Sequence, residues 1–360
     1  MNVINNLIQI ILLLGIIQGF IYGVLLISNR KKDRSTLFLG FFVLVYALEL
    51  TLPLIKYSNL ISDYPQLRFI PFDFRYLTFP LFYIYVKKIS ILPKSKNILY
   101  ILIPGLIAFI INVIVFFQDV DTKKIIGMSS WFQTFDLIGL IFSLFIGVIT
   151  YLFINKHTSE LKNQYSFTQG KELKWAKQFL VIGFIYMIII FCFNINHFYF
   201  HFITSIINVG LLYWISIRGL HQKNIKPLVQ FTEIINTKDD TPLIQKKEVD
   251  IKLFEKIEKY VLSEKLYKQS NLTITDLTKQ FNEHPKLISS VINLVSEKNF
   301  RSYINSFRIK EAKKLLKDNH SNNLSIEGIG FEVGFQSKSA FYQAFKKETG
   351  TTPSNYKNVV

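Results

Sequence analysis

Residues 3–217 alternate between long apolar runs and short polar connections. Seven of the runs, at 3–27, 36–55, 69–86, 98–117, 131–154, 178–194 and 198–217, read as membrane-spanning helices. Most reach the roughly 20 residues a helix needs to cross a hydrocarbon core. The run from Ile10 to Ile17 is apolar on every side, whereas a surface helix of a water-soluble protein keeps a polar face. The third and sixth runs carry the weakest signal.

Beyond residue 217 the pattern changes character. Residues 218–250 are mixed and charged, hold Pro227 and Pro242 and the polar cluster 236–241, and read as a linker without a core of its own. From Asp250 to about residue 265, Leu253, Ile257, Tyr260 and Val261 form one helical stripe. Thr273 is placed to cap a helix over 274–281, with Asp276 three residues on. Residues 282–284 make a tight turn, and Pro285 suits the first position of a helix to about 295 with Ile288, Val291 and Ile292 inward. A long helix follows over 300–318; at about 1.5 Å per residue it spans close to 30 Å. Then the unit repeats: Ser325 caps a short helix, Gly334 ends it, Ser337 opens another to Thr349, and Gly350 and Pro353 close that one before a terminal helix. Residues 251–360 therefore hold two helix-turn-helix units, at about 273–295 and 325–349. Two such units on a rod of about 30 Å match successive major grooves, which recur every 34 to 36 Å or so. The expected fold is all-α, with a seven-helix transmembrane domain at 1–217 and an all-helical domain at 251–360.

Charge supplies orientation. The chain carries 42 Lys and Arg against 25 Asp and Glu, a net charge of +17. Connections one, three and five and the segment after the seventh run hold Arg30, Lys31, Lys32, Arg34, Lys87, Lys88, Lys94, Lys96, Lys156, Lys162, Lys171, Lys174, Lys177, Arg218, Lys223 and Lys226. The alternate connections hold only Lys56, Arg68, Lys123 and Lys124. Sixteen cations against four places the first group inside by the positive-inside rule, so the expected topology is N-out and C-in. The first run lacks a basic n-region and cleavage site and is followed by Arg30, which fits a retained anchor. These readings put the protein in the inner (cytoplasmic) membrane, multi-pass, with its C-terminal domain in the cytoplasm. Residues 251–360 keep a net +7, from 18 basic against 11 acidic residues, as expected of a surface that touches phosphates.

The residues of the second unit also carry a resemblance. Ser325, Ile326, Ile329, Gly330, Val333, Gly334 and Phe335, then Ser339, Phe341, Phe345, Gly350, Pro353 and Tyr356, resemble the signature of the AraC/XylS family of bacterial regulators. The first unit agrees through Ile288, Ile292, Phe300, Tyr303, Ile304, Arg308, Ala312 and Leu316, so the likeness covers nearly all of residues 271–360. Two positions depart: Gly330 stands where the family usually has Ala, and Lys357 where Arg is common. The whole chain resembles family members that carry a polytopic membrane domain. The resemblance implies base reading by Lys286, Ser289, Ser290 and Asn293 in the first unit and by Ser337, Lys338, Ser339, Tyr342 and Gln343 in the second. Lys, Asn and Gln have the donor and acceptor geometry for base edges. Arg301, Arg308, Lys310, Lys346 and Lys347 are expected at phosphates, adding affinity without sequence information. Double-stranded DNA is the implied partner, with RNA polymerase added by the family.

Ionisable residues inside the apolar runs need an account, because each is costly in a bilayer. Glu49, Asp73, Arg75, Asp136, His197 and His201 fall at one depth near the outer side. They form either a polar pocket for a small extracytoplasmic ligand or a clamp between helices. His197 and His201 have the spacing of a metal pair, but Phe198, Tyr199, Phe200 and Phe202 around them point to an interfacial aromatic belt, and no metal site is expected. Cys192 is the only cysteine, which excludes an intramolecular disulfide and a cysteine-based metal site. No Walker loop, GxSxG elbow or kinase signature occurs, so neither catalysis nor a cofactor is expected. The leading expectation is a membrane-bound, sequence-specific transcription regulator whose transmembrane domain senses a signal, with the lipid bilayer and a second copy of the chain as further partners. The alternatives are a transporter or channel with a regulatory DNA-binding tail, and a passive anchor that releases its DNA-binding domain by proteolysis.

Overall fold

A computed structural model describes residues 2–28, 35–93, 97–193, 198–222, 243–317 and 324–359. Among these residues the fold is all-α: no strand forms, and a single isolated antiparallel bridge joins Tyr165 and Thr273. The chain divides into two compact units, the first made of residues 1–90, 94–156 and 173–225 and the second of residues 91–93, 157–172 and 226–360.

The first unit holds α1 (Asn2–Ser28), α2 (Thr36–Glu49), α3 (Thr51–Tyr57), the single turn α4 (Leu60–Asp63), α5 (Arg75–Ile89), α6 (Ile103–Phe116), α7 (Val120–Met128), most of α8 (Ser130–Gln164), α9 (Lys174–Phe193) and α10 (Phe198–His221). Among the described residues, five stretches are long and apolar enough to cross a membrane by length and composition: Asn5–Ser28, Thr36–Tyr57, Ile98–Phe116, Ser130–Gln164 and Phe202–His221. The third expected run is shorter than its composition implied. Phe69 has a left-handed φ of 57°, residues 69–74 are not helical, and α5 covers only 15 residues with Pro80 inside it. The sixth is a helix of 20 residues that begins four positions before the expected start at residue 178.

Inside this unit an aromatic cluster joins three helices, α2, α5 and α9: Phe42 lies 5.2 Å from Phe82, and Phe82 lies 5.0 Å from Phe179 and 6.1 Å from Trp175, ring centre to ring centre. The backbones of α1 and α2 meet at glycines, for a Cβ added to Gly40 would lie 2.9 Å from the carbonyl oxygen of Gly23. Small residues at a crossing are what allow such an approach. The outer faces are apolar: Ile10, Leu14, Ile17 and Ile21 of α1 and Ile138, Ile141 and Phe145 of α8 are all exposed. Stripes of that length would be an aggregation surface in water.

The second unit contains α11 (Leu243–Ser263), α12 (Ile274–Phe281), α13 (Pro285–Ser296), α14 (Phe300–Lys317), α15 (Ile326–Glu332), α16 (Lys338–Thr349) and α17 (Pro353–Val359). Helix α11 starts seven residues before the expected end of the linker, since no Pro or Gly after Pro242 stops the helix from growing backwards. The rest of the expected linker, residues 223–242, lies outside the described residues.

Local chemistry sets the other boundaries. The Thr273 backbone N–H donates to the Asp276 carboxylate at 2.8 Å, closing the capping box of α12. Asn282 takes the left-handed turn with φ 52°, and Pro285 opens α13. Ser325 and Ser337 cap α15 and α16 by accepting from the Gly328 and Ala340 backbone N–H groups. Gly334 requires its residue type twice over: its φ is 100°, and a Cβ there would lie 2.6 Å from the carbonyl oxygens of Tyr267 and Lys268.

Each helix-turn-helix unit has its own core, and α14 serves both. Tyr303 and Ile304 join Ile257, Leu277, Ile288 and Ile292 in the first core. Ile309, Ala312 and Leu316 join Ile329, Val333, Phe341 and Phe345 in the second.

Candidate functional site

In the first unit of the module, Pro285 and the His284 cap, whose ring Nδ1 accepts from the Lys286 backbone N–H at 3.2 Å, set the start of α13. Ile288, Val291 and Ile292 bury the opposite face. That leaves Lys286 and Ser290 exposed, with Ser289 and Asn293 half-buried beside them. All four line one cleft of about 380 Å³, whose other wall is Glu160, Asn163 and Gln164.

In the second unit α16 buries Ala340, Phe341 and Phe345. Lys338, Ser339 and Gln343 are exposed, Ser337 is the half-buried cap, and Tyr342 is half-buried with its hydroxyl 3.3 Å from that of Ser354. Lys338 is ion-paired with Glu327 of α15, and that carboxylate holds its ammonium above the ordinary lysine range.

The expected phosphate contacts separate into two groups. Lys310, Lys346 and Lys347 are exposed, as that role requires. Arg308 is a correction: only 1% of it is exposed, and its guanidinium donates to the carbonyls of Tyr267 at 2.6 Å and Gln269 at 2.8 Å. Burial pulls its pKa down to about 10, still far above neutral, so it remains a charged donor with no face left for a phosphate. Arg301 is half-buried and donates to the Thr168 hydroxyl at 2.8 Å and the Glu172 carboxylate at 3.4 Å.

Residues 157–172 were legible only as one inner connection, yet they belong to this unit. Ser166 donates its backbone N–H and its hydroxyl to the Leu272 carbonyl at 3.1 and 2.6 Å, and Phe167 packs on the second core. No local pattern announces contacts across more than a hundred residues of chain.

The polar residues of the first unit also converge. Arg75 pairs with Asp73 at 2.5 Å and with Asp136 at 3.3 Å, while Glu49 accepts from the Thr78 hydroxyl at 2.9 Å. Glu49 and Arg75 both line a cavity of about 230 Å³, together with Tyr46, Tyr186 and Asn208. Tyr46 donates to the Asn208 amide oxygen at 3.0 Å, and the Asn208 amide donates to the Tyr186 hydroxyl at 2.8 Å. His197 and the side chain of His201 lie outside the described residues.

Residues 277–358 match the family model described as a helix-turn-helix domain. The C-terminal module is an AraC-type helix-turn-helix domain. Over 89 residues it is 33% identical to an uncharacterized HTH-type transcriptional regulator, YobQ of Bacillus subtilis, a match covering 25% of this chain and 36% of that protein. Over 88 residues it is 30% identical to the melibiose operon regulatory protein of Escherichia coli, covering 24% of this chain and 28% of the relative. The likeness thus spans 36% of one curated relative and 28% of the other. Among solved structures, the C-terminal domain of AraT, a response regulator from Geobacillus stearothermophilus, is 27% identical, with a TM-score of 0.27, and the match covers 29% of this chain and 84% of that one.

Proposed function

We propose that the chain is a membrane-held transcription regulator that reads double-stranded DNA through α13 and α16 of its helix-turn-helix domain. The observation that carries this reading is the repeated unit itself. Two helices are each capped and seated on a separate core, and each turns short polar or cationic side chains outward at its N-terminal end, where a recognition helix meets base edges. Lys286, Ser289, Ser290 and Asn293, with Ser337, Lys338, Ser339, Tyr342 and Gln343, are the base-facing set. Arg301, Lys310, Lys346 and Lys347 supply phosphate contacts.

The apolar helices hold this domain at the inner membrane, and the charge of the connections supports a cytoplasmic C-terminus. The cavity at Glu49 and Arg75 is the place where the membrane unit receives its signal. Its support is a charged group with hydrogen-bonding hydroxyls and amides around a space of about 230 Å³, among apolar helices where an ionisable residue is costly in a bilayer.

The test is selection from random-sequence duplexes by the full chain in lipid nanodiscs. Wild-type protein should enrich a defined motif, and Lys338→Ala with Gln343→Ala should lose that enrichment while keeping salt-sensitive binding. Absence of any enriched motif with wild-type protein would refute the reading.

A further inference from the structure

The base-facing side of α13 is faced by another stretch of the chain. Its cleft of about 380 Å³ has protein for its far wall, whereas a recognition helix that reads base edges must lie in a major groove about 12 Å wide. The closing wall is the last turns of α8, through Glu160, Asn163 and Gln164.

The segment that follows runs on across the module. Tyr165 bridges to Thr273, the cap of α12, and Ser166 holds the Leu272 carbonyl. Phe167 inserts against the core of the second helix-turn-helix unit. The Gln169 amide oxygen then accepts from the hydroxyl of Ser337, the cap of α16, at 2.7 Å. One stretch of chain thus engages both units on the elements that carry the base-facing residues.

Its chemistry is that of the ligand it displaces. Arg301, expected at a phosphate, is bound instead by the Glu172 carboxylate and the Thr168 hydroxyl, which are themselves joined at 2.6 Å. Glu160 sets a second carboxylate in the cleft that Lys286 lines. The fit is incomplete, because the amide oxygens of Gln164 and Asn293, both at the cleft, are buried without a hydrogen-bond partner. A closed state with that desolvation cost is one that a better ligand can displace.

We propose that residues 160–172 are a phosphate-mimicking cover that occupies the DNA-reading side of both helix-turn-helix units and must withdraw before DNA binds. The proposal rests on the DNA-reading function argued above. It makes the apparent affinity for DNA the intrinsic affinity scaled by the uncovered fraction, so a cover closed nine-tenths of the time weakens binding about tenfold. Helix α8 is continuous into the cover, so a shift of that helix is the kind of event that withdraws it.

The experiment measures binding of the full chain in nanodiscs to a pool of random-sequence duplexes. In one variant the cover is loosened on its own side by Phe167→Ala with Glu172→Gln. In another, on a Cys192→Ser background, Gln169→Cys and Ser337→Cys are joined by a short bismaleimide, with the unjoined pair as control. The loosened protein should bind about tenfold tighter or more than wild type, and the joined protein about tenfold weaker or more than its control. Hydrogen exchange in α14 reports that each variant is folded. If wild-type, loosened and joined proteins all bind alike, the cover is overturned and the DNA-reading function stands. If no form binds DNA, the DNA-reading function falls and the cover with it.

Discussion

The guanidinium of Arg308 ties α14 to the backbone turn that precedes α12 through the carbonyls of Tyr267 and Gln269. Arg308→Ala leaves the Tyr267 carbonyl without this donor and the Gln269 carbonyl with only the Leu272 backbone N–H at 3.3 Å, and should cost about 1 to 3 kcal/mol for the orphaned group. Arg308→Lys should recover little, because an ammonium cannot reproduce the planar fork. Hydrogen exchange in α14 of the full chain measures the loss; exchange as slow as in wild type would contradict this role. Residue spacing made Arg308 look like a phosphate contact, since a cation on a helix amid other cations has the same pattern whether it faces out or in. What decides its role lies at residues 267 and 269, some forty positions away, and no local periodicity carries that information. By contrast Ser325, Gly334 and Gly350 were legible at once, because a cap or a left-handed turn is settled by neighbours within about four residues.

At the scale of elements, the helices of the C-terminal module follow from their caps and apolar stripes, and the departure at Gly330 acquires a reason. A Cβ on Gly330 would lie 2.7 Å from the ring of Phe341 and 3.2 Å from its Cβ, so the glycine lets α15 and α16 close on the second core. Gly330→Ala improves helix propensity by up to about 1 kcal/mol yet overpacks that contact. Overpacking typically costs about 1 to 3 kcal/mol. The substitution should therefore lower stability on balance, read as faster hydrogen exchange in α15 and α16; slower exchange would show that Phe341 can move aside. In the first compact unit the third apolar run misled for a related reason. Hydropathy counts residues 69–74 as span, whereas the left-handed Phe69 and the non-helical residues after it delay the helix to Arg75.

At the scale of the molecule, two candidate sites lie in two compact units of one chain, a polar cavity and the pair of helices proposed to read bases. Asp73, Arg75 and Asp136 were legible as a group by depth alone, and their ion pairs support a clamp as much as a pocket. Glu49, which faces the cavity, separates the two roles. If the cavity receives the signal, Glu49→Gln and Asp136→Asn should alter the response of target transcription to the medium while the protein remains in the membrane. Unchanged transcription and response would leave only the clamp. The cover formed by residues 160–172 gives the same molecule a means to hold its DNA-reading side in reserve. The central claim, that the chain reads DNA through α13 and α16 while embedded in a membrane, is tested most directly by chromatin capture of the tagged full-length protein beside its Lys338→Ala, Gln343→Ala variant. Discrete genomic peaks with the wild type that disappear or shift with the variant are the predicted result. Absence of discrete peaks, or persistence of every peak in the variant, would contradict it.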